Sequence, residues 1–412
     1  MFHFWPDIMN QPSYYNYADD ALDFFRDFLL KLSRSPIAGG VLLLLCALIS
    51  LIWANSGFAD SYDALQTTNL TIGIGNGIMS KPILFWINDG LMVIFFFVVG
   101  LEIKSEVLHG ELSSWQKSAL PAIAALGGMV VPALLFTGMN LGTPYLHGWG
   151  IPMATDIAFA VGILALMGKR VPPSLRVFLL ALAIVDDLGA IIVIALFYTS
   201  HISITALMLG LLGIGVLMLL NKLGARNLGV YAVFGVLVWV AFLNSGVHPT
   251  IAGVLVAFTI PSRPPINLQH FFRDTHLLLQ RSGVLDGTAS VQRKYITLDT
   301  INGGAYLAES SVRRAEKGLY NWVNFFIMPL FALFNAGVVI STSSFLGDIS
   351  APITLGIILG LFVGKQVGIF LFAWLAARFR LASLPDSLNW KQFYGMAILS
   401  GIGFTMSLFI AS

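Results

Sequence analysis

Four charged residues, Asp156, Asp186, Asp187 and Lys365, lie inside stretches of this 412-residue chain that are otherwise almost wholly apolar. A charged side chain at the centre of a membrane helix costs about 3 kcal/mol to insert. Three acids against one base are more than a single helix-to-helix salt bridge absorbs, so packing alone does not account for the set. A pathway for protons and cations does. Desolvation and a neighbouring ammonium act in opposite senses on a carboxylate's hold on its proton, and the same oxygens attract hard cations. A proton and a cation then compete for one site, and such competition is itself a mechanism of exchange. Thr155, beside Asp156, adds a hydroxyl oxygen to those of carboxylate and water. Neighbouring residues on a helix point about 100° apart, so Asp186 and Asp187 cannot both face Lys365. One pairs with the lysine while the other lines a hydrated funnel.

The elements that must position these residues are membrane helices. Hydrophobic residues make up 57% of the chain and charged ones 11%, too little polar surface to solvate a soluble globule of this size. Apolar runs of roughly 17 to 25 residues predict eleven spans, at 37–54, 83–101, 119–139, 149–167, 175–198, 204–220, 228–243, 247–260, 321–340, 352–376 and 393–411. With a cytoplasmic N-terminus, all of the 23 Lys and Arg residues except Lys81 and Lys365 fall on the inside, which orients the chain. The expected organisation is a cytoplasmic segment at 1–36 without a removable signal peptide, spans one to eight at 37–261, a long cytoplasmic loop at 262–320 and spans nine to eleven at 321–412. The single cysteine, Cys46, excludes a disulfide framework and a cysteine-held metal cluster. No cofactor and no nucleic-acid partner is expected; the partner is the lipid bilayer.

Two loops stand out. Leu70, Ile72 and Ile74 alternate ahead of Gly75-Asn76-Gly77, which suits a small outside β-hairpin, with an irregular loop as the alternative. Within 262–320, Leu268, Phe271, Phe272, Leu278 and Leu279 fall near helical spacing. That fits an amphipathic helix at the membrane surface or a partly disordered connector. Two spans are also interrupted. Gly150, Pro152 and Thr155 precede Asp156, and Gly401, Gly403 and Thr405 punctuate the last span. Glycine and proline are common in membrane helices, but matched interruptions in two spans point to a transport site built from broken helices. Their half-helix ends carry positive and negative poles deep in the membrane, which Asp156 and Lys365 respectively are suited to offset.

Several of these stretches resemble the NhaA-type sodium/proton antiporters: Thr155-Asp156-Ile157-Ala158-Phe159-Ala160, then Ala181 to Ala190 around Asp186-Asp187, then Gly364-Lys365, and Gly401-Ile402-Gly403-Phe404-Thr405-Met406-Ser407. Trp86 to Gly90, Gly100-Leu101-Glu102 and Ser245-Gly246-Val247-His248 extend the likeness, which runs from about residue 37 to the end. The resemblance implies an all-α polytopic membrane protein with an inverted-repeat transporter fold and two broken, crossing helices. It implies electrogenic exchange of sodium or lithium for a larger number of protons, in a homodimer of the bacterial inner membrane. Asp187 becomes the principal shared ligand of sodium and protons, with Asp186 also at the sodium site and partnering Lys365, Asp156 supporting the broken helices together with Lys365, and Thr155 at the crossing. Glu102, Glu106, Glu316 and His248 correspond to charges through which the family responds to pH.

The chain departs from the familiar pattern in three places. Ser105 stands where a basic residue is usual, and Lys317 and Tyr320 replace the histidines expected near Glu316. The 262–320 loop is longer than usual. The sequence ends at Ser412, where the family pattern leads to the expectation of a twelfth span. Two rivals compete with antiport. An intramembrane aspartyl protease expects Gly-x-Gly-Asp, which Ile184-Val185-Asp186 lacks, and a sodium-coupled solute carrier needs a larger polar pocket than the sequence suggests.

Overall fold

The computed structural model describes residues 36–74, 77–199, 202–340, 345–385 and 387–412. Residues 1–35, nearly all of the expected N-terminal segment, and the Gly75-Asn76 turn lie outside the described residues. What is described is helical apart from connecting segments and one antiparallel hairpin of Asn69–Ile74 with Gly77–Pro82. Its register sets Leu70 opposite Lys81 and Ile72 opposite Met79.

Among the described residues, six helices are long and apolar enough to cross a membrane: Ile83–His109, Trp115–Asn140, Pro144–Leu166, Pro173–Phe197, Ile204–Lys222 and Pro352–Arg378. Trp390–Ser400 and Phe404–Ala411 form a further span bent by 41° at its break. The first apolar helix, Pro36–Ala54, turns through 113° into Ala59–Thr67, which leads to the hairpin. Leu228–Leu243 has the expected bounds and Thr250–Thr259 falls within the expected 247–260; both are shorter apolar helices than the six above. The ninth expected span also differs in its bounds. Ser311–Trp322 runs through a π-helical turn, Val323–Ile327, into Met328–Asn335, and residues 336–340 leave the helix. At the end of that helix the Asn335 side chain forms a reciprocal amide pair with Asn88 at 3.0 and 2.8 Å.

Small residues set the closest approaches. A Cβ on Gly127 would strike the Gly368 carbonyl, and one on Gly368 the Gly127 carbonyl, so Trp115–Asn140 and Pro352–Arg378 touch backbone to backbone, the usual device where lipid gives helices no hydrophobic reason to associate. Large apolar side chains such as Ile52, Leu212, Val233 and Phe362 face outward, as expected where the solvent is hydrocarbon. The four charged residues do the opposite: Asp156, Asp186, Asp187 and Lys365 are each at most 1% exposed. The 262–320 segment is largely helical, as Leu268–Ser282, Val291–Ala308 and the start of Ser311–Trp322.

Candidate functional site

Both broken spans stop where their sequences require. Pro152 has no amide to give, and the tight helix Pro144–Met153 yields to extended backbone at Ala154 and Asp156 before Ile157–Leu166 begins. In the second span Asn389 caps Trp390–Ser400 in a reciprocal box with Gln392, and the helix ends at Gly401. The two breaks cross. The Asp156 amide donates to the Ile402 carbonyl at 2.7 Å, and the Thr155 hydroxyl donates to the Ser400 carbonyl at 3.0 Å.

Asp156 serves two helix ends at once. One carboxylate oxygen accepts from the Phe159 amide at 2.9 Å. The other accepts from the Thr405 amide at 3.2 Å and the Thr405 hydroxyl at 2.5 Å. The positive poles of Ile157–Leu166 and Phe404–Ala411 therefore share one anion. The negative poles are met separately. Lys365 donates to the Met153 carbonyl at the end of the first half-helix, and Thr155 meets the end of Trp390–Ser400.

The two adjacent aspartates of Pro173–Phe197 part company, as their angular separation requires. Asp186 accepts from the Lys365 ammonium at 2.6 Å through one oxygen, and its other oxygen has no partner among the described residues. Neither carboxylate oxygen of Asp187 has a partner among the described residues, although both are buried. A buried carboxylate is expensive to leave unpaired, so Asp187 is chemically poised to take a proton or a cation. Its side chain lines a cavity of about 220 Å³ together with Asp156, Glu102, Tyr320, Asn324 and Met406. Asp186, Lys365 and Thr155 do not line it. The cavity is smaller than the roughly 300 Å³ at which pockets for organic ligands begin, which leaves the solute-carrier reading without support.

The remaining expected residues divide. Glu102 reaches the cavity from Ile83–His109. Glu316 sits beside it on Ser311–Trp322, where burial and the nearby Glu106 push its carboxyl up from the usual range while Arg313 and Lys317 draw it back. His248 is elsewhere: its Nδ1 is hydrogen bonded to the Thr250 hydroxyl at 2.8 Å and its ring stands edge-on to Phe409 at 5.4 Å. Thr405 was visible in the sequence only as part of an interruption. Its position just inside a half-helix start, after Gly401 and Gly403, is the signal that marks it as a partner for a capping carboxylate.

Residues 31–412 match the family described as Na+/H+ antiporter 1. The chain belongs to that family. The Na+/H+ antiporter NhaA of Koribacter versatilis is 48% identical over 387 residues, covering 93% of this chain and 84% of the relative. The NhaA of Oleidesulfovibrio alaskensis is also 48% identical, over 91% of this chain and 84% of the relative. The solved sodium proton antiporter MjNhaP1 of Methanocaldococcus jannaschii aligns over 92% of this chain and 94% of that one, at 16% identity and a TM-score of 0.35, too low to carry an argument.

Proposed function

We propose that this protein exchanges sodium for protons across a membrane, with Asp187 as the site for which the two ions compete. The observation that carries the proposal is that both Asp187 oxygens are buried and lack a partner among the described residues, while the residue lines a cavity. When the cavity admits a sodium ion, the carboxylate oxygens and water supply the hard donors it prefers, and the proton leaves. When a proton returns, the cation loses its charged ligand and departs. Membership of an Na+/H+ antiporter family supports this reading.

Asp186 and Lys365 couple that competition to the rest of the molecule. The ammonium between Asp186 and the Met153 carbonyl ties the aspartate helix to the first broken span. Protonation of Asp186 releases that tie, and two carboxylates giving up protons for one monovalent cation moves net charge. Exchange is therefore electrogenic, and lithium, a hard monovalent cation, is carried as well. Thr155 and Asp156 hold the crossing, and Glu102, Glu106 and Glu316 make the entry anionic and responsive to pH. The protein works as a homodimer in a bacterial inner membrane with its N-terminus in the cytoplasm, arranged as 1–36, 37–261, 262–320 and 321–412.

The direct test uses everted vesicles carrying an imposed pH gradient, followed by fluorescence dequenching. Sodium and lithium should collapse the gradient without any organic solute. Exchange that survives Asp187→Asn would remove that residue from its assigned role.

A further inference from the structure

A second cavity, of about 500 Å³, shares no residue with the first and is lined in part by Gln116, Arg380, Ser383, Leu384 and Trp390. Three elements meet there: the first turn of Trp115–Asn140, the segment that follows Pro352–Arg378, and the start of Trp390–Ser400. Among the described residues, Arg380 is the one non-glycine residue in a left-handed conformation, with φ at 59°. The amides of Arg380 and Leu381 turn back to the carbonyls of Ala377 and Ala376, closing the helix in a turn where glycine is usual. An arginine costs about 1 kcal/mol more than glycine in that conformation, so something other than the backbone favours its side chain. The guanidinium forms no ion pair with a described residue.

Arg380 is the one charged residue among the described residues of the lining, and the stretches of sequence around it carry both basic and exposed apolar residues. Lys117 and Lys391 adjoin the lining residues Gln116 and Trp390 in the sequence, and Arg378 lies two positions before Arg380; the acids nearest in sequence are Glu111 and Asp386. Trp115, Phe379 and Leu381 stand exposed beside the cavity, at 78%, 69% and 63%. These residues sit at the ends of membrane helices, the level at which aromatic rings collect between headgroups and hydrocarbon.

We propose that this cavity binds the headgroup of an anionic phospholipid, with Arg380 on the phosphate and Trp115, Phe379 and Leu381 against the acyl chains. Basic pockets between membrane helices recognise such headgroups, and a guanidinium matches phosphate oxygens in a fork. A free phosphate would use only the basic half of the site, whereas the exposed apolar rim needs the hydrocarbon that a lipid brings.

The test is thermal unfolding of the full chain, purified in dodecyl maltoside, with dioleoylphosphatidylglycerol, dioleoylphosphatidylcholine or inorganic phosphate added. Phosphatidylglycerol should raise Tm by about 2–4 °C, and the other two should not. Arg380→Gly removes the guanidinium while relieving the backbone, so it should be at least as stable as the wild type without lipid and lose the response. Arg380→Lys should keep part of it. An unresponsive wild type, an undiminished response in Arg380→Gly, or an equal effect of phosphatidylcholine or inorganic phosphate overturns the proposal.

Discussion

Lys365 and Asp186 meet at 2.6 Å with side chains 0% and 1% exposed. The same ammonium also holds the Met153 carbonyl, so its loss strands an anion and a helix end together. Breaking a buried pair from one side costs about 3–5 kcal/mol, whereas replacing both partners with apolar residues is often neutral. Lys365→Ala should therefore lower Tm markedly, and Lys365→Met combined with Asp186→Leu should recover much of the loss. Sodium affinity should change little in Lys365→Ala, because an ammonium is no ligand for a cation. A large affinity loss at unchanged Tm would contradict this division of labour.

Asp187 should behave in the opposite way. With no side-chain hydrogen bond to a described residue to lose, Asp187→Asn should leave Tm unchanged or raised while abolishing exchange. Calorimetric titration with sodium should then show no binding and no displaced protons. A stability loss as large as that of Lys365→Ala would mean that Asp187 has a structural partner.

Asp156→Ala should uncap two half-helices in one substitution. At about 1 kcal/mol for each helix end, the loss should be roughly twice that of Thr405→Val, which removes only the 2.5 Å hydroxyl contact. Melting curves of the two variants side by side test the ratio.

Glu316 carries a pH signature with a definite sign. Its carboxyl is pushed up from the ordinary 4.5 by burial and Glu106, against Arg313 and Lys317, and Glu102 is also within electrostatic reach. The folded chain keeps this proton to higher pH than the unfolded chain, so the associated stability is present below the ordinary value and lost as pH rises through the folded one. Glu316→Gln should therefore gain Tm relative to the wild type as pH rises through that window. Over the same window its apparent sodium affinity should fall about twofold below the wild type. Parallel profiles at all pH values would exclude Glu316 as a titrating group.

Gly368→Ala places a methyl against the Gly127 carbonyl. Backbone gives way less readily than a side chain, so the cost should reach or exceed the usual 1–3 kcal/mol of overpacking. Gly303→Ala, where nothing stands within reach of the new Cβ, is the control and should be tolerated.

Much of this architecture is legible in the chain because its signals are local. Charges inside apolar runs, and glycine and proline beside Asp156 and before Phe404, need no knowledge of distant residues. The hairpin is signalled by the alternation of Leu70, Ile72 and Ile74 ahead of Gly75-Asn76-Gly77. What stays hidden depends on pairings across the chain. The 100° rule separates Asp186 from Asp187 but does not say which one meets Lys365, since that depends on the rotation of Pro173–Phe197 against Pro352–Arg378. Asn335 pairs with Asn88, 247 positions away in the sequence. Thr405 reaches Asp156 across 249 positions, a distance over which spacing carries no signal.

The crossing has a mechanical consequence. Hydrogen bonds from Thr155 to Ser400, from the Asp156 amide to Ile402, and from Thr405 to Asp156 sew the two interrupted spans together at their narrowest point. Neither half can slide past the other without rupturing several of these stitches at once. Alternating exposure must therefore carry the seam as a single plate that tilts against the surrounding helices, and the residues that give way belong to its rim.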